Sequence, residues 1–575
     1  MSLSKLLKKQ KSIFRLVPII VTVLFLGPIV AGLLGTLFPS FSFIPEIGEE
    51  SFSLAPWKEL IAIPGIIKSI QLSFFTGIIT TAISLTVVIS FFAGWQDTKL
   101  FVYVQRFLSP LLSVPHVTVA LGLAFLLTPS GWIVRLISPW ATGFNRPPDI
   151  IILQDAEGLS LIFGLVIKEI PFLFLMTLAA INQINATASC NIARTLGYRP
   201  VMAWCKTVLP LIYPQIRLPI FAVIAYSSST VDVAIVLGPT TPPTLAVQLV
   251  KWFYDPDINM HYVASAGALV QLLIVIIAII FWYLCEFILI KLGRKALIKG
   301  SRGRADTYLR GYAAIALLTG FCFALLSLLS MTLWSLTNSW RFPSSFPDSL
   351  SISAWIGRII QLENAFLNTL SIGLLSASIS LILVISCLES EAKSGHKVSN
   401  RFRFLLYIPL LVPQIAFLFG TQVFFIIMDI DGSWSAVAFC HLIFVLPYVF
   451  LSLEDTYRSL DDRYRRTAVC LGSSHIKFML RIKLPLLLKP ILIAFAVGFA
   501  VSVSLYLPTL FAGAGRFETL TTEAVSLAAS GNRRIIGTYA LMQMLLPFIA
   551  FLIATNITKL IYGQKYKKTI FNDQP

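Results

Sequence analysis

Charged residues are scarce in this chain. Only 13% of its 575 residues are Asp, Glu, Lys or Arg, whereas a soluble globular domain carries about 25%. So few charges cannot cover a water-facing surface of this length, which excludes soluble enzymes, disordered chains, collagens and disulfide scaffolds. The remaining composition, 57% hydrophobic with a mean hydropathy of +0.82, is typical of a polytopic membrane protein.

Cysteine and histidine are also few. The seven cysteines and five histidines show no CxxC spacing and no ligand cluster, so we expect no metal site and no cofactor of the chain's own. The phosphate-binding motif GxxxxGK[ST] is missing as well. The chain is therefore not expected to be an enzyme, and its energy must come from a partner or from an ion gradient.

Long, uninterrupted apolar runs fill most of the sequence. A helix needs about 20 apolar residues to cross a bilayer. Because these runs are continuous and do not alternate with polar residues, they predict helices and exclude an outer-membrane barrel. We expect an all-α polytopic membrane protein with about twelve transmembrane helices. The predicted spans lie near Leu16–Phe38, Ser69–Ala93, Phe107–Leu127, Leu159–Ile181, Pro214–Leu237, Val263–Ile290, Gly311–Leu336, Ala365–Leu388, Phe404–Met428, Ser435–Leu453, Pro490–Ala512 and Ile535–Tyr562.

The basic residues mark one side of the membrane. With the N-terminus and every even-numbered loop placed in the cytoplasm, most of the 45 Lys and Arg residues fall on that side, as the positive-inside rule requires. We expect a multi-pass protein of the bacterial inner membrane with both termini in the cytoplasm. The formal net charge of +18 then reflects topology and contact with the lipid bilayer, and no nucleic-acid partner is expected.

A pattern near residue 197 returns 275 residues later. Each half of the chain then holds six spans, and because six is even, the halves have parallel topology around a pseudo-twofold axis along the membrane normal. We predict a first half at 1–290, a basic cytoplasmic linker at 291–310 and a second half at 311–575. The residues that recur are Ala193, Leu196, Gly197, Leu209 and Pro210, which match Ala468, Leu471, Gly472, Leu484 and Pro485.

The recurring motif lies in a predicted cytoplasmic loop between spans four and five of each half. We call Asn182–Pro210 loop one and Thr456–Pro485 loop two. A short helix should end at the glycine of each loop, since glycine tolerates a left-handed helix end, and a second helix should stop before the proline. One such loop would fit an amphipathic helix on the lipid surface. Two in equivalent positions, each apolar with a basic rim, indicate docking into a soluble partner.

These loops resemble the EAA loop of ABC-importer permeases of the methionine-permease-like (type I) superfamily. The family pattern is Glu-Ala-Ala, three residues, Gly, nine residues, Ile, any residue, Leu-Pro. Ile482 occupies the Ile position in loop two, and Thr207 occupies it in loop one. Asn191 and Arg466 stand where the family has its Glu, which puts any salt bridge of that Glu in doubt. The likeness covers both halves, so the chain resembles the fused permeases known for thiamine and iron(III) uptake.

The resemblance implies import by alternating access. A periplasmic solute-binding protein would deliver a small solute, by likeness thiamine or a related compound. A cytoplasmic ABC ATPase dimer would bind the ATP and grip the two loops. The family lines its translocation path with the helices after the EAA loop, which points to Tyr226 and Asp232 in the first half and to Tyr506 and Pro508 in the second. The alternative is a twelve-helix secondary transporter driven by an ion gradient.

Charged residues also occur inside predicted spans, where a charge is costly unless it is paired or hydrated. Asp232 either faces a cationic solute or caps a break near the outer end of its helix. Lys168 and Glu169 are expected to pair within the bundle, close to the carbonyl that Pro171 leaves without a donor. Glu286 is expected to reach toward water at the cytoplasmic end of span six.

Overall fold

The computed structural model describes residues 21–43, 51–298, 302, 306–357, 359–394, 407–529 and 531–572. In this part of the chain almost all regular structure is helical, with one two-stranded antiparallel hairpin. The predicted fold class, an all-α polytopic membrane protein, is confirmed. The first twenty residues, residues 299–301 and 303–305 of the predicted linker, and the start of the ninth predicted span lie outside the described residues.

The first half contains thirteen helices in the described segments. Their bounds are α1 Val21–Phe41, α2 Ala55–Ala62, α3 Ile66–Trp95, α4 Lys99–Leu112, α5 His116–Leu127, α6 Trp132–Ile137, α7 Leu159–Ile181, α8 Ala186–Thr195, α9 Pro200–Thr207, α10 Leu209–Ser229, α11 Asp232–Leu237, α12 Leu245–Phe253 and α13 Ile258–Ile298. The helices α3, α7, α10 and α13 pack on one another and form the body of this half.

The second half repeats this arrangement after α14, Asp306–Ser335, and a hairpin of β1, Thr337–Ser339, and β2, Ser349–Leu350. Its further helices are α15 Ser353–Ile356, α16 Ile359–Ser394, α17 Gln414–Ile427, α18 Trp434–Arg458, α19 Asp462–Cys470, α20 His475–Phe478, α21 Leu484–Leu486, α22 Leu488–Ser504, α23 Leu507–Ala512, α24 Leu520–Ala528 and α25 Arg533–Asn572. A π-helical turn, Met479–Lys483, joins α20 to α21.

Ten helices of the described segments are long and apolar enough to cross a membrane. An eleventh is counted if His475–Leu486 and Leu488–Ser504, which meet at 74°, form one bent span. The predicted number of twelve is higher because the ninth predicted span holds only the 14-residue helix α17. Pro413 stands at the N-cap of α17, and Pro115 likewise separates α4 from α5, since a residue before proline disfavours the helical conformation.

Matching helices of the two halves keep one spacing. The first residues of α7, α11, α12 and α13 each lie 275 positions before the first residues of α18, α23, α24 and α25. In both halves the long helix after the loop breaks before a six-residue helix, at Thr230 in the first half and at Leu505 in the second. The offset first seen in the loop motif therefore extends through every helix that follows it.

The first helix of each half packs on the other half. A Cβ atom on Gly420 of α17 would overlap the backbone of Gly32 and Gly35 in α1, and one on Gly122 of α5 would lie 2.6 Å from the carbonyl oxygen of Ser327 in α14. Such close helix contacts need residues without side chains, as is common where membrane helices cross. The halves are thus held together by an exchange of their first helices.

Both loops lie on one side of the helical bundle. The helix α14 begins beside loop one, where the Asp306 carboxylate accepts a hydrogen bond from the backbone N–H of Val201 (2.9 Å). It crosses the bundle, and α16 crosses back and ends beside loop two, where Glu389 binds Lys483 at 2.7 Å. Because α14 and α16 cross the bundle in opposite directions, loop two lies on the same side of the bundle as loop one.

Candidate functional site

Loop one has the helix–glycine–helix form that its sequence predicts. The Asn185 side chain caps α8, Gly197 follows that helix with φ +83°, and Pro200 opens α9. The backbone N–H of Tyr198 donates to the Ala193 carbonyl at 3.2 Å, the bond that closes a helix ending in a left-handed residue. Helix α9 ends at Thr207, and α10 starts at Leu209.

Loop two repeats this geometry. Asp461 caps α19, Gly472 has φ +75°, and Ser474 caps α20. The backbone N–H of Ser473 donates to the Ala468 carbonyl at 2.9 Å, which is the bond of loop one shifted by 275 residues. Because only glycine adopts this φ without strain, the two glycines fix the angle between the short helices in both loops.

The loops expose apolar side chains on the outside of the bundle. Each buries its motif alanine, Ala193 at 5% and Ala468 at 4% exposure, while Leu196 is 62% and Leu471 is 82% exposed. Further exposed apolar side chains surround the two leucines; they are Ile192 in loop one and Tyr464, Val469, Ile476 and Leu480 in loop two. The exposed charges near these apolar groups are mostly basic; they are Arg194 and Arg199 in loop one and Arg463, Arg466 and Arg481 in loop two, where Asp461 and Asp462 are also exposed and pair with neighbouring arginines.

The remaining motif residues lie where each loop turns back into the membrane. Leu209 is half-buried and Pro210 exposed at the start of α10, and Ile482, Leu484 and Pro485 are half-buried at the bend before α22. They shape this turn. The two residues that replace the family's acidic residue, Asn191 and Arg466, are both exposed.

Loop one is anchored by a tryptophan and by the polypeptide that joins the halves. Trp204 is 2% exposed, and its indole N–H donates to the Gln96 side chain at 2.5 Å. The backbone N–H of Arg199 donates to the carbonyl of Arg302, at 3.1 Å. The anchor consists of apolar packing and hydrogen bonds, one of which is the bond from Val201 to the buried Asp306 carboxylate.

Loop two is anchored by buried charge. The Glu389 carboxylate at the end of α16 accepts hydrogen bonds from Lys483 (2.7 Å) and from the Tyr457 hydroxyl (2.6 Å), and it pairs with His475 at 3.1 Å. Glu389 and Lys483 are 6% and 9% exposed. Removing either member of such a pair is expected to destabilise the protein, since a buried charge without a partner costs several kcal/mol.

Loop one contains two cysteines, Cys190 in α8 and Cys205 in α9. Burial raises the pKa of the Cys190 thiol, although a contact with Thr207 opposes the shift, and burial raises the pKa of Cys205 to about 11. Both thiols are therefore protonated and poorly nucleophilic at neutral pH. Cys470 of loop two is exposed and is the accessible thiol of the two loops.

A cluster of polar side chains lies deep between the two halves, where the broken helices meet. In the first half, Asp232 accepts hydrogen bonds from the Thr230 hydroxyl (2.8 Å) and from the Val233 N–H (2.9 Å). His116 pairs with Glu169 at 3.4 Å. We name this set the interface cluster; its members are His116, Glu169, Tyr226 and Asp232 of the first half and Tyr448 and Tyr506 of the second.

The two halves meet in this cluster. Tyr506 lies within electrostatic range of Asp232, and Tyr448 within range of Glu169. The His116 ring packs on Tyr226 with ring centroids 4.7 Å apart. Tyr226, Asp232 and Tyr506 of the predicted path are thus neighbours. Pro508 is buried in the first turn of α23, where it helps to end the preceding helix.

Lys168 and Glu169 are both paired within the bundle, as expected, although not with the carbonyl beside Pro171. The Lys168 ammonium donates to the carbonyls of Val114 (2.5 Å) and Leu111 (3.2 Å) at the break before α5, and Glu169 pairs with His116. The expectation for Glu286 is wrong. Glu286 does not reach toward water, since its side chain is 5% exposed and is paired with Arg217 of α10. Arg217 stands on the neighbouring helix, and its guanidinium offsets the cost of burying the Glu286 carboxylate.

Sequence reasoning missed several of these residues. Tyr448 and His116 belong to the interface cluster, yet each stands in an apolar run with no local signal of function. Glu389 lies at the end of a span, where an acid is unremarkable by composition. Their partners come from distant parts of the chain, so only the tertiary structure brings them together.

Comparison with known proteins gives matches along most of the chain. Residues 382–567 match the family model described as binding-protein-dependent transport system inner membrane component. The inner membrane ABC transporter permease protein YnjC of Escherichia coli K12 is 32% identical over 520 residues, which cover 88% of this chain and 91% of that relative.

Two more distant relatives match shorter segments. The spermidine/putrescine transport system permease protein PotC of Haemophilus influenzae is 24% identical over 156 residues, covering 27% of this chain and 60% of PotC. The putrescine transport system permease protein PotI of Escherichia coli K12 is 22% identical over 205 residues, covering 33% of this chain and 70% of PotI. These matches extend the similarity to shorter permeases.

Proposed function

The chain belongs to the inner-membrane permeases of ABC transporters, and we propose that it is both permease halves of an importer, worked by a separate ATPase dimer. It is a multi-pass inner-membrane protein and a permease subunit for small solutes. Family membership sets aside the alternative of an ion-gradient-driven secondary transporter. Permease subunits of this family are not themselves enzymes, so ATP is hydrolysed by the partner.

The paired loops carry this proposal. Two helix–glycine–helix loops stand on one side of the bundle and share a helix-end geometry, and each exposes a leucine more than 60% beside basic side chains. A contiguous apolar patch with a polar rim is typical of a protein-binding surface. Two matching patches suit a dimeric partner, in which each ATPase subunit binds one loop. We place this side in the cytoplasm, with both termini.

The transported solute is a small molecule delivered by a periplasmic binding protein. The likeness of the sequence to fused thiamine permeases makes thiamine one candidate. Two relatives are named as spermidine or putrescine permeases, which makes polyamines the other. Solute would pass between the halves along Tyr226, Asp232, Tyr506 and Pro508, and alternating access would follow from ATPase closure that moves the two loops together.

Co-purification tests the role of the loops. We expect genes for an ABC ATPase and a binding protein beside the gene of this chain, and the ATPase should co-purify with the permease when the two are co-expressed. Replacing Leu196 and Leu471 by Asp should remove at least nine-tenths of the bound ATPase, since a charged side chain cannot enter an apolar groove without a desolvation cost.

Leu350→Asp is the matched control, because this leucine is 66% exposed on the hairpin at the opposite side of the bundle. The control should retain the ATPase. If the loop variants bind the ATPase as well as the control does, while all remain monodisperse, the loops are not the docking site and the proposal fails.

A further inference from the structure

The charge around the interface cluster favours a cation. Asp232 and Glu169 supply two carboxylates. The nearby cation, Lys168, is turned away, because its ammonium is bound to the carbonyls of Leu111 and Val114. His116 is held by Glu169 at 3.4 Å and also lies within electrostatic range of Asp232. An anion entering here would meet two carboxylates without a free cationic partner among the described residues, whereas a cation would be stabilised by both.

All members of the cluster except Glu169, which is 4% exposed, remain partly accessible. Asp232, Tyr226, Tyr448 and Tyr506 are all half-buried although they lie deep between the halves. His441 of the second half shows the contrast: it is 2% exposed, and its two ring nitrogens are bonded to Ser502 (2.7 Å) and Thr509 (2.9 Å). A buried polar group without a ligand is satisfied inside the protein in this way.

Three tyrosines complete the chemistry of a cation site. An aromatic face attracts an ammonium or a charged ring through its quadrupole, and the attraction grows where water is excluded. Tyr226 comes from the first half, and Tyr448 and Tyr506 come from the second. Both hydrogen bonds that Asp232 accepts from its neighbours end on Oδ1, so Oδ2 can bind a further donor.

We infer that the interface cluster is a binding site for a small organic cation, reached between the two halves during import. The inference rests on the proposed function, and it adds the solute class and the residues that recognise it. Asp232 binds the positive group, the tyrosines cover the apolar part of the molecule, and Glu169 supplies a second carboxylate. Since the first half supplies the acids, recognition is asymmetric even though the fold is repeated.

Direct binding tests the site without any partner protein. The full chain is purified in lipid nanodiscs, and saturable binding of radiolabelled spermidine and of radiolabelled thiamine is measured. At least one cation should bind. Asp232→Asn and Glu169→Gln should each weaken that binding at least tenfold. Tyr506→Ala should also weaken it, and Tyr506→Phe, which keeps the ring, should weaken it less.

Glu157→Gln is the control, since this acid is 69% exposed and its partner is the surface residue Lys68. It should bind like the unaltered chain. The inference is overturned if neither cation binds, if sulfate competes for the site, or if both carboxylate variants bind like the control.

The same preparations are tested for co-purification with the ATPase. An unaltered chain that holds the ATPase but binds neither cation refutes the cation site alone. A chain that cannot hold the ATPase refutes the proposed function, whatever the binding result. Elution of each variant as a single species in size-exclusion chromatography separates loss of the site from loss of folding, and Tyr506→Ala tests the site if a carboxylate variant does not fold.

Discussion

At the scale of single residues, Gly197 and Gly472 decide the shape of both loops. Each has a positive φ, +83° and +75°, a conformation that costs other residues roughly 1–2 kcal/mol. Gly472 has open space around its Cα, so a side chain there would meet no neighbour. The restriction is therefore one of backbone conformation and not of packing.

Gly472→Val should disturb ATPase binding without preventing membrane insertion. A β-branched residue disfavours positive φ most strongly, so the turn between α19 and α20 should change and move the exposed leucine. We expect at least a tenfold loss of co-purified ATPase at normal membrane levels of the permease. Gly293→Val is the control, since Gly293 lies in α13 with open space and an ordinary φ. Equal ATPase recovery from both variants would contradict this account.

The buried pair Glu389–Lys483 gives a second prediction at this scale. Lys483→Met should destabilise the protein by about 3–5 kcal/mol, because it leaves the carboxylate buried without its ammonium. The double variant Lys483→Met with Glu389→Leu should recover much of that loss. Thermal unfolding in detergent measures both. A double variant as unstable as the sum of the single ones would show that the pair is not coupled.

Asp155 gives a dependence on pH. Burial opposes its ionisation, but hydrogen bonds from the Ser160 hydroxyl and from the backbone N–H groups of Ser160 and Leu159 outweigh burial and lower the carboxyl pKa. The ionised form thus stabilises the folded state above the unfolded pKa of about 3.9, and this contribution is lost as pH falls through the folded pKa.

Asp155→Asn should therefore lower the melting temperature at pH 7 and lower it progressively less as the pH falls below about 4. Melting curves of both proteins from pH 7 down to the acid limit of the detergent preparation provide the measurement. If the difference in melting temperature between the two proteins stays constant with pH, ionisation of the Asp155 carboxylate is not its source.

At the scale of helices, the exchange of first helices holds the halves together. The helix α1 meets α17 through Gly32, Gly35 and Gly420, and α14 meets α5 through Gly122. Gly122 and Gly420 each follow a proline by seven residues. The same type of contact therefore occurs twice. In each case the first helix of one half packs on the helix that follows this proline in the other half.

Gly420→Leu should separate α1 from α17. Overpacking a tight contact typically costs about 1–3 kcal/mol, so we expect a lower melting temperature and more aggregate in detergent. Gly27→Leu is the matched control on α1 itself, because Gly27 has no neighbour within 4 Å of an added Cβ atom. A control that is as unstable as Gly420→Leu would mean that the crossing carries no special constraint.

The helices themselves were largely predictable from the sequence, and their partners were not. Apolar length gave most spans and Gly197 gave the helix end of loop one, because both signals are local. The span containing α17 was overestimated, since hydropathy does not register the break before Pro413. His116, Tyr448 and the pairing of Glu286 with Arg217 depend on contacts between distant helices, which local patterns do not encode.

At the scale of the whole molecule, two similar halves carry different chemistry. The loops share their backbone geometry, yet their anchors differ. Loop one is held by Trp204 and by a backbone hydrogen bond to the Asp306 carboxylate, and loop two by the buried ion pair of Glu389 and Lys483. In the interface cluster, the first half supplies both carboxylates and one tyrosine, and the second half supplies two tyrosines. The two halves can differ in this way because they are fused, so that each half always pairs with the other half of the same chain.

Cysteine labelling measures the placement of the loops, which the whole account requires. In a chain whose seven cysteines are replaced, Cys is introduced singly at Leu196 and at Leu471, and a membrane-impermeant maleimide is applied to inverted vesicles and to intact spheroplasts. Both positions should react only in inverted vesicles, and the co-expressed ATPase should protect both. Reaction from the outside at either position, or no protection at both, would contradict the claim that an ATPase grips these loops from the cytoplasm.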